Sequence, residues 1–175
     1  MKELCFIDTE TTGILFGFHE IIDIAIIRTS SDGKKMLGEW QQRFQPKFPE
    51  RITEDAKKWN NYSPDNWNNS KPQSSEIWKE IIKFWDNCIP ICHNPSFDRA
   101  FITVAILSHQ IKQIGLDYHW IGTESMAWLL YQKGIISGLS LNSLAEHFHL
   151  DPEPSPHTAI NGTSKCREVY LKLMR

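Results

Sequence analysis

Two carboxylates, Asp8 and Glu10, directly follow the short apolar run over residues 4–7. A run that is apolar at every position is typical of a strand buried on both faces. Because side chains alternate along a strand, both carboxylates should lie on the same side of the extended backbone. Two acids held together repel each other unless a proton or a cation relieves them, and paired oxygen ligands favour Mg²⁺ or Mn²⁺. The stretch therefore predicts a metal site at a strand's carboxyl end, although Asp-x-Glu alone is more often a structural pair at a turn.

Two further side chains could complete such a site. Asp98 lies at the start of a predicted helix that follows a short apolar strand, so it could return over the carboxyl end of the sheet. His157 lies between a proline-rich segment and the last predicted helix, where it could act as general base on a metal-bound water. Taken alone, Asp98 would be an ordinary acid in a first helical turn and His157 a surface histidine. Their occurrence together with the acidic pair favours the functional interpretation.

The elements that must position these residues follow an α/β pattern. Three sequential strands are predicted over residues 4–7, 20–28 and 35–44, and the Asp-Gly turn at residues 32–33 favours an antiparallel hairpin. The remaining predicted elements are a helix over 75–87, a strand over 89–92, a helix from 97 to about 115, a strand over 118–121, and helices over 124–132, 141–148 and 157–174. The pattern predicts a mixed sheet flanked by helices.

The segment over residues 45–75 differs in texture, with several prolines, many asparagines and the tryptophans Trp59 and Trp67. A short helix over residues 53–59 is predicted, with Thr53 as its N-cap. The exposed aromatics of such a loop could stack on the bases of a single strand. We favour the alternative that both tryptophans pin a long surface excursion to the body of the protein.

The composition indicates an ordinary globular chain. With 175 residues, 41% hydrophobic and 23% charged, a single domain over residues 1–175 is expected. The net charge of −2 argues against a broad electrostatic interface with duplex nucleic acid. Short single strands or frayed ends are therefore the expected nucleic-acid partners. No run is long enough to span a bilayer and no signal peptide is evident, so a cytoplasmic protein is expected.

The cysteines point to the same compartment. Four cysteines form no dense disulfide framework, so a reducing environment is expected. Cys88 and Cys92, followed by His93, could be half of a zinc site, but the sequence has no second Cys or His pair of suitable spacing to complete it. Cysteines packed in the core are the favoured interpretation.

Taken together, the motifs resemble those of the DEDDh (DnaQ-like) 3′-to-5′ exonucleases, a family that includes the proofreading epsilon subunit of bacterial DNA polymerase III and ribonuclease T. The motifs that carry the resemblance are FIDTETTG from Phe6 to Gly13, HNPSFD from His93 to Asp98, and HTA from His157 ahead of the final helix. The resemblance covers nearly the whole chain. It implies a ribonuclease-H-like fold, with a five-stranded mixed β-sheet flanked by α-helices.

The resemblance also implies a mechanism. Two divalent ions, Mg²⁺ or Mn²⁺, would activate a water for attack on the last phosphodiester. Single-stranded nucleic acid or a 3′ end would be the partner, and a polymerase or a second copy of the chain could be another. The family roles carry over to this sequence as metal ligation by Asp8, Glu10 and Asp98, general base catalysis by His157, and substrate contacts from Thr11, Thr12 and Asn94.

Two expected family acids are replaced by glycine. Gly162 stands five residues after the motif histidine, where the family has a metal-binding Asp, and Gly122 stands where the family usually has an Asp near the site. An active enzyme could compensate, for example with Asp151 or Glu153. The chain could instead be a nuclease-like domain that binds 3′ ends or a polymerase without cutting, or an inactivated version of an active enzyme. The leading interpretation is a 3′–5′ exonuclease of single-stranded DNA or RNA that is impaired at position 162.

Overall fold

A six-stranded mixed sheet forms the centre of the protein, which a computed structural model describes over all residues 1–175. The strand order across the sheet is β4-β3-β2-β1-β5-β6. The strands are β1 (Leu4–Thr11), β2 (Ile21–Thr29), β3 (Met36–Gln45), β4 (Lys71–Pro72), β5 (Ile89–Cys92) and β6 (Ile121–Gly122). The first three are antiparallel neighbours, whereas β5 runs parallel to β1 and β6 runs parallel to β5. The predicted mixed α/β sheet is thus present.

The sheet has one strand more than the five that were expected. The additional strand is β4, which pairs in parallel with the end of β3 through Lys71 and Pro72. It lies within the segment that the sequence indicated to be a surface excursion. A proline cannot donate a ladder hydrogen bond, so this short pairing is tolerated only at the sheet edge.

Six helices surround the sheet, namely α1 (Glu54–Asn60), α2 (Ser75–Trp85), α3 (Pro95–Ser108), α4 (Thr123–Gln132), α5 (Leu141–His147) and α6 (Ala159–Leu173). The helix predicted from residue 97 to about residue 115 is present, but its predicted C-terminal end is wrong. Helix α3 stops at Ser108, and Gln110 two residues later has a left-handed backbone with φ +61°. A left-handed residue cannot continue a right-handed helix, so the chain turns away before the next strand.

The two faces of the sheet are covered differently. Helices α2 and α3 pack on one face in a core that includes Ile7, Trp78 and Phe101. Helix α6 packs on the opposite face, where Tyr170 lies edge-on to Phe6 with ring centroids 5.3 Å apart. The site residues are therefore carried by a central strand that is enclosed by helices on both sides.

The cysteines belong to this core. Cys5, Cys88, Cys92 and Cys166 are all free and buried. None of the helices combines the length and the apolar character needed to cross a membrane.

Candidate active site

The acidic pair lies at the carboxyl end of the central strand. Strand β1 stays paired with β2 up to Thr11, so Asp8 and Glu10 occupy alternate positions opposite Ala25 and Asp23. The alternation of strand side chains puts both carboxylates on the same side. The charge of Glu10 accordingly acts on Asp8 and raises its pKa. The expected placement of the pair is therefore present in the structure.

Helix α3 brings the third acid to the same place. Because β5 runs parallel beside β1, the helix that follows β5 begins above the carboxyl end of β1. Asp98 in its first turn is only 4% exposed and accepts a hydrogen bond of 2.8 Å from the hydroxyl of Thr9. Burial raises the pKa of Asp98 to about 7, and the hydrogen bond from Thr9 opposes that rise. The sequence carried no signal for this role of Thr9.

The acids form a cluster of unrelieved negative charge. Burial is the main cause that raises the pKa of Asp8 well above its usual range and that of Glu10 to about 7. The neighbouring charges add to this effect, since Asp98, Asp23 and Glu153 act on both groups and are all negative. Either protons or a cation must offset this repulsion near neutral pH.

The donor chemistry of the cluster fits a divalent cation. Carboxylate oxygens are the hard ligands that Mg²⁺ and Mn²⁺ prefer, and the charges of Glu10 and Asp98 both act on Asp8. No three His, Cys, Asp or Glu side chains, however, are grouped so that they could hold a metal ion as they stand. The assignment of these three acids as metal ligands therefore stays a prediction, supported by their chemistry and mutual placement.

The predicted general base shares a cavity with Glu10, the second acid of the pair. A cavity of about 520 Å³ is lined by Glu10, Thr11, Trp59, Phe97 and His157, among others. The backbone N–H of His157 donates to the carbonyl of Trp59 at 3.0 Å, and the two rings meet edge to face at 5.0 Å. The fold thus brings together residues that are far apart in the chain.

The predicted substrate contacts are placed differently from one another. Thr11 lines the cavity, although its hydroxyl donates to the carbonyl of Gly13 at 2.7 Å. Thr12 is fully buried and does not line the cavity; its N–H donates to Glu20, and its hydroxyl and carbonyl oxygens accept from the N–H groups of Glu20 and Thr53. Asn94 is exposed and serves as the N-cap of α3, with Oδ1 accepting from the N–H of Ser96. Contacts of Thr11 and Asn94 with a substrate stay predictions.

The two tryptophans of the long excursion have different roles. Trp67 is 5% exposed, its indole N–H donates to the carbonyl of Ile22, and Arg43 lies over its ring, so it pins the segment as expected. The same interpretation is wrong for Trp59. Its side chain is 57% exposed and stands at the cavity beside His157. The sequence could not distinguish the buried from the exposed tryptophan, because both are surrounded by polar residues in the chain.

The two glycines that replace family acids face different surroundings. A Cβ atom added at Gly162 would lie 2.8 Å from the carboxylate carbon of Asp8, so this position points directly into the acidic cluster. A Cβ at Gly122 would instead lie 2.8 Å from Cδ of Pro95 and 3.3 Å from Oγ of Ser125. Only the first glycine faces the cluster, and there the Asp8 carboxylate occupies the space that a side chain would need.

Asp23 was missed at the level of the sequence. It is 1% exposed in β2, and its carboxylate accepts hydrogen bonds from Gln41 and from the backbone N–H of Ala159. Arg43 lies 3.7 Å from the same carboxylate. An acid inside an otherwise apolar β-branched strand was the available signal, since such a group is buried only where it finds partners.

A second cavity of about 560 Å³ adjoins the same segments of the chain. It is lined by Phe18 from the β1–β2 loop and by Arg51 from the segment before α1. The same loop and segment contribute Ile14 and Thr53 to the first cavity. Lys47 and His109 contribute further basic groups. The Arg51 guanidinium lies 3.8 Å from the ring centroid of Phe48. The cavity thus combines cations with aromatic faces.

The fold and the site together define an α/β protein with a cluster of acids at the carboxyl end of its central strand. A sequence profile of the exonuclease family, RNase_T, matches residues 5–169. The chain therefore belongs to this exonuclease family, and the family relationship predicted from the motifs is confirmed.

The similar curated proteins carry DNA polymerase III names. DNA polymerase III PolC-type of Pediococcus pentosaceus is 23% identical over 166 residues, which are 95% of this chain and 11% of that protein. A DNA polymerase III subunit epsilon-like protein of Rhodobacter capsulatus is 26% identical over 179 residues, covering 99% of this chain and 24% of that protein. The chain thus spans a quarter or less of the length of these relatives.

Solved structures share the fold at low sequence identity. The nuclease domain of 3′hExo, a DEDDh family member bound to rAMP, superposes with a TM-score of 0.78 at 13% identity, covering 99% of this chain and 92% of that one. Exonuclease I of E. coli in complex with a dT13 oligonucleotide gives a TM-score of 0.82 at 14% identity, covering 98% and 41%. The expected ribonuclease-H-like architecture is confirmed by these likenesses.

Proposed function

We propose that this chain is a divalent-metal-dependent 3′–5′ exonuclease that hydrolyses the terminal phosphodiester of single-stranded DNA or RNA. The observation that carries the proposal is the cluster of half-buried Asp8 and Glu10 with buried Asp98, beside a cavity lined by Glu10 and His157, in a chain of the exonuclease family. An acidic cluster repels a phosphodiester unless cations intervene, so the arrangement suits metal-assisted phosphoryl transfer better than simple anion binding.

The residues of the chain have distinct tasks in this reaction. Asp8, Glu10 and Asp98 would hold Mg²⁺ or Mn²⁺, which when bound lowers the pKa of a water and offsets the charge of the phosphate. The proton of the attacking water passes to His157, and the water oxygen forms a bond to phosphorus. The 3′ oxygen of the preceding nucleotide then leaves, giving a nucleoside monophosphate and a shortened strand.

The cavities suit a short stretch of single strand. A volume of about 520 Å³ falls in the range that holds one small ligand, and the exposed ring of Trp59 offers a face on which a base can stack. The second cavity, with Lys47 and Arg51, supplies cations for the phosphates of preceding nucleotides. We expect residues 1–175 to act as one domain, in the reducing cytoplasm.

A second candidate function is favoured by Gly162. With no acid at this position, the chain could bind nucleic-acid 3′ ends, or serve a polymerase partner, without cutting. A homodimer is compatible with either function. The two functions differ in one measurable property, the release of mononucleotides.

The test is a time course on 5′-labelled single-stranded DNA and RNA with Mg²⁺ or Mn²⁺. An exonuclease of this class yields a ladder of progressively shorter labelled strands, and a 3′-blocked strand stays intact. We expect His157→Ala to lower the rate by about 10²- to 10⁴-fold, the usual contribution of general acid–base catalysis. His119→Ala is a matched control, because His119 is exposed and bonded to Asp117.

Three outcomes are distinguishable in this experiment. A ladder that disappears in His157→Ala supports the exonuclease. Tight binding to strands with a free 3′ end, without shortening, supports the binding module. A chain that neither binds nor shortens any strand contradicts both functions.

A further inference from the structure

Glu153 makes a direct contact with the predicted general base. Its Oε1 atom lies 3.1 Å from Nδ1 of His157, and its side chain is only 7% exposed. The carboxylate belongs to the segment between α5 and α6, outside every motif that carries the family resemblance. The distance lies within the range of an N–H···O hydrogen bond, so an imidazole with its N–H on Nδ1 can donate to this oxygen.

The contact decides which nitrogen of the ring is left for chemistry. A neutral imidazole carries one N–H and one lone pair, and the partner of one nitrogen determines the role of the other. With Nδ1 of His157 turned to Glu153, Nε2 is the nitrogen without a partner in the chain. The edge-to-face contact with Trp59 and the backbone hydrogen bond to its carbonyl restrict the ring further. The ring is thereby held on the wall of the cavity that it shares with Glu10.

Glu153 also adds charge where the family acid is missing. Its negative charge raises the pKa of both Asp8 and Glu10, so it faces the acidic cluster. Burial raises the pKa of Glu153 itself, and the positive charges of His157 and Lys165 oppose that rise. Lys165 is itself paired with Glu168 at 2.5 Å. The cluster thus has a fourth carboxylate that comes from a loop, while position 162 on α6 offers none.

We propose that Glu153 is the positioning residue of His157: its carboxylate accepts the Nδ1–H and so keeps the lone pair of Nε2 directed to the cavity. The proposal rests on the proposed function for its effect on rate, but its structural content is independent of that function. It selects Glu153, rather than the exposed Asp151, from the carboxylates of this segment.

The first test reads the tautomer of His157 directly. The variant Glu153→Gln keeps the shape of the side chain, but its amide can also donate to Nδ1 and so stabilise the other tautomer. Imidazole ¹⁵N chemical shifts are measured at a pH where the ring is neutral, and the His157 signals are identified by their loss in His157→Ala. We expect the Nδ1–H form in the unaltered chain and a shift to the Nε2–H form in Glu153→Gln.

The second test is kinetic. Loss of a residue that orients another typically lowers activity by about 10- to 100-fold, and loss of an interaction that acts in the chemical step lowers kcat while KM stays the same. We expect this pattern for Glu153→Gln. Asp151→Asn, which removes the same charge from an exposed position two residues away, should leave kcat and the tautomer unchanged.

The outcomes separate this inference from the proposed function. An Nε2–H tautomer in the unaltered chain, or an Nδ1–H tautomer that persists in Glu153→Ala, where no acceptor remains, overturns the positioning role whatever happens to the rate. If the unaltered chain cuts no strand, the exonuclease fails, and the tautomer still decides the role of Glu153. A shifted tautomer with a reduced kcat supports both.

Discussion

At the scale of single residues, Gly162 has the most direct influence on the site. The space that its side chain would fill is next to the carboxylate of Asp8, and the position is buried. Any larger residue therefore requires Asp8 to rotate, which is feasible because the contacting atoms are at the end of a side chain. An acid at this position would join a cluster in which burial and like charges already disfavour ionisation.

We predict that Gly162→Asp makes stability strongly dependent on metal. Without a divalent ion the added charge should lower Tm, and Mn²⁺ should raise Tm more than in the unaltered chain, because an ion that binds only the folded state stabilises it. Release of mononucleotides should rise in the same variant. Thermal melting across a Mn²⁺ titration, together with the strand assay, measures both effects.

Gly162→Ala provides the control for this prediction. Its methyl group meets Asp8 in the same way but brings no charge, and it should gain part of the roughly 1 kcal/mol by which alanine exceeds glycine in a helix. An equal response of the alanine and aspartate variants to Mn²⁺ would show that the effect is steric.

At the scale of elements, Asp23 links three parts of the fold. Its carboxylate in β2 accepts hydrogen bonds from Gln41 in β3 and from the N–H of Ala159 at the start of α6. Helix α6 directly follows His157, so this link helps to set where the histidine enters the cavity. The threonine at its N-cap, Thr158, accepts from the N–H of Asn161 and completes the first turn.

We predict that Asp23→Ala costs more stability than Asp23→Asn. The alanine variant leaves the N–H of Ala159 buried without an acceptor, which costs about 1–3 kcal/mol, whereas asparagine keeps one oxygen in reach. Urea unfolding of the two variants gives the difference in the free energy of unfolding. Equal values for both variants would mean that the bond to α6 contributes nothing.

At the scale of the whole molecule, the buried acids should govern how stability depends on pH. In the folded chain the pKa values of Glu10 and Asp98 are each about 7, above the ordinary values of 4.5 and 3.8 for these groups. Between these limits the folded state binds more protons than the unfolded state, so the free energy of unfolding falls as pH rises. Carboxylates with lowered pKa, such as Asp117 and Asp32, act in the opposite direction, but only below this range.

We therefore predict that the metal-free protein is more stable near pH 5 than near pH 8. Each 1 kcal/mol lost from the free energy of unfolding should lower Tm by about 2–4 °C. Mg²⁺ or Mn²⁺ should restore stability at the higher pH, because the ion replaces the protons. Melting curves over this range test the slope, and the double variant Glu10→Gln with Asp98→Asn should flatten it. A metal-free stability that increases from pH 5 to pH 8 would contradict the assignment.

Local patterns made much of this site predictable. The period of two along β1 placed Asp8 and Glu10 on one side, and the strand-then-helix order placed Asp98 above them. These inferences held because neighbouring residues alone determine on which side of a strand a side chain lies. The motifs also pointed to the correct family, which the profile match over residues 5–169 confirms.

Pairings between distant segments escaped such patterns. The bond from Ala159 to Asp23 spans 136 residues, and the hydroxyl of Thr9 reaches Asp98 across 89 residues. The local periodicity of a sequence does not show which strands pair with each other, or which loop residue contacts the first turn of a helix. The exposure of Trp59 and the contact of Glu153 with His157 depend on the same packing.

The sequence by itself determined the class of chemistry, because acids after a buried strand and a histidine before the last helix are properties of residue type and order. Only the tertiary structure decided which carboxylates share one environment. Strand pairing and helix docking bring Asp98, Glu153 and His157 to the end of β1. They also place Gly162, which has no side chain, against the carboxylate of Asp8. Burial and like charge then act through space, and those effects follow distances that the order of residues does not contain.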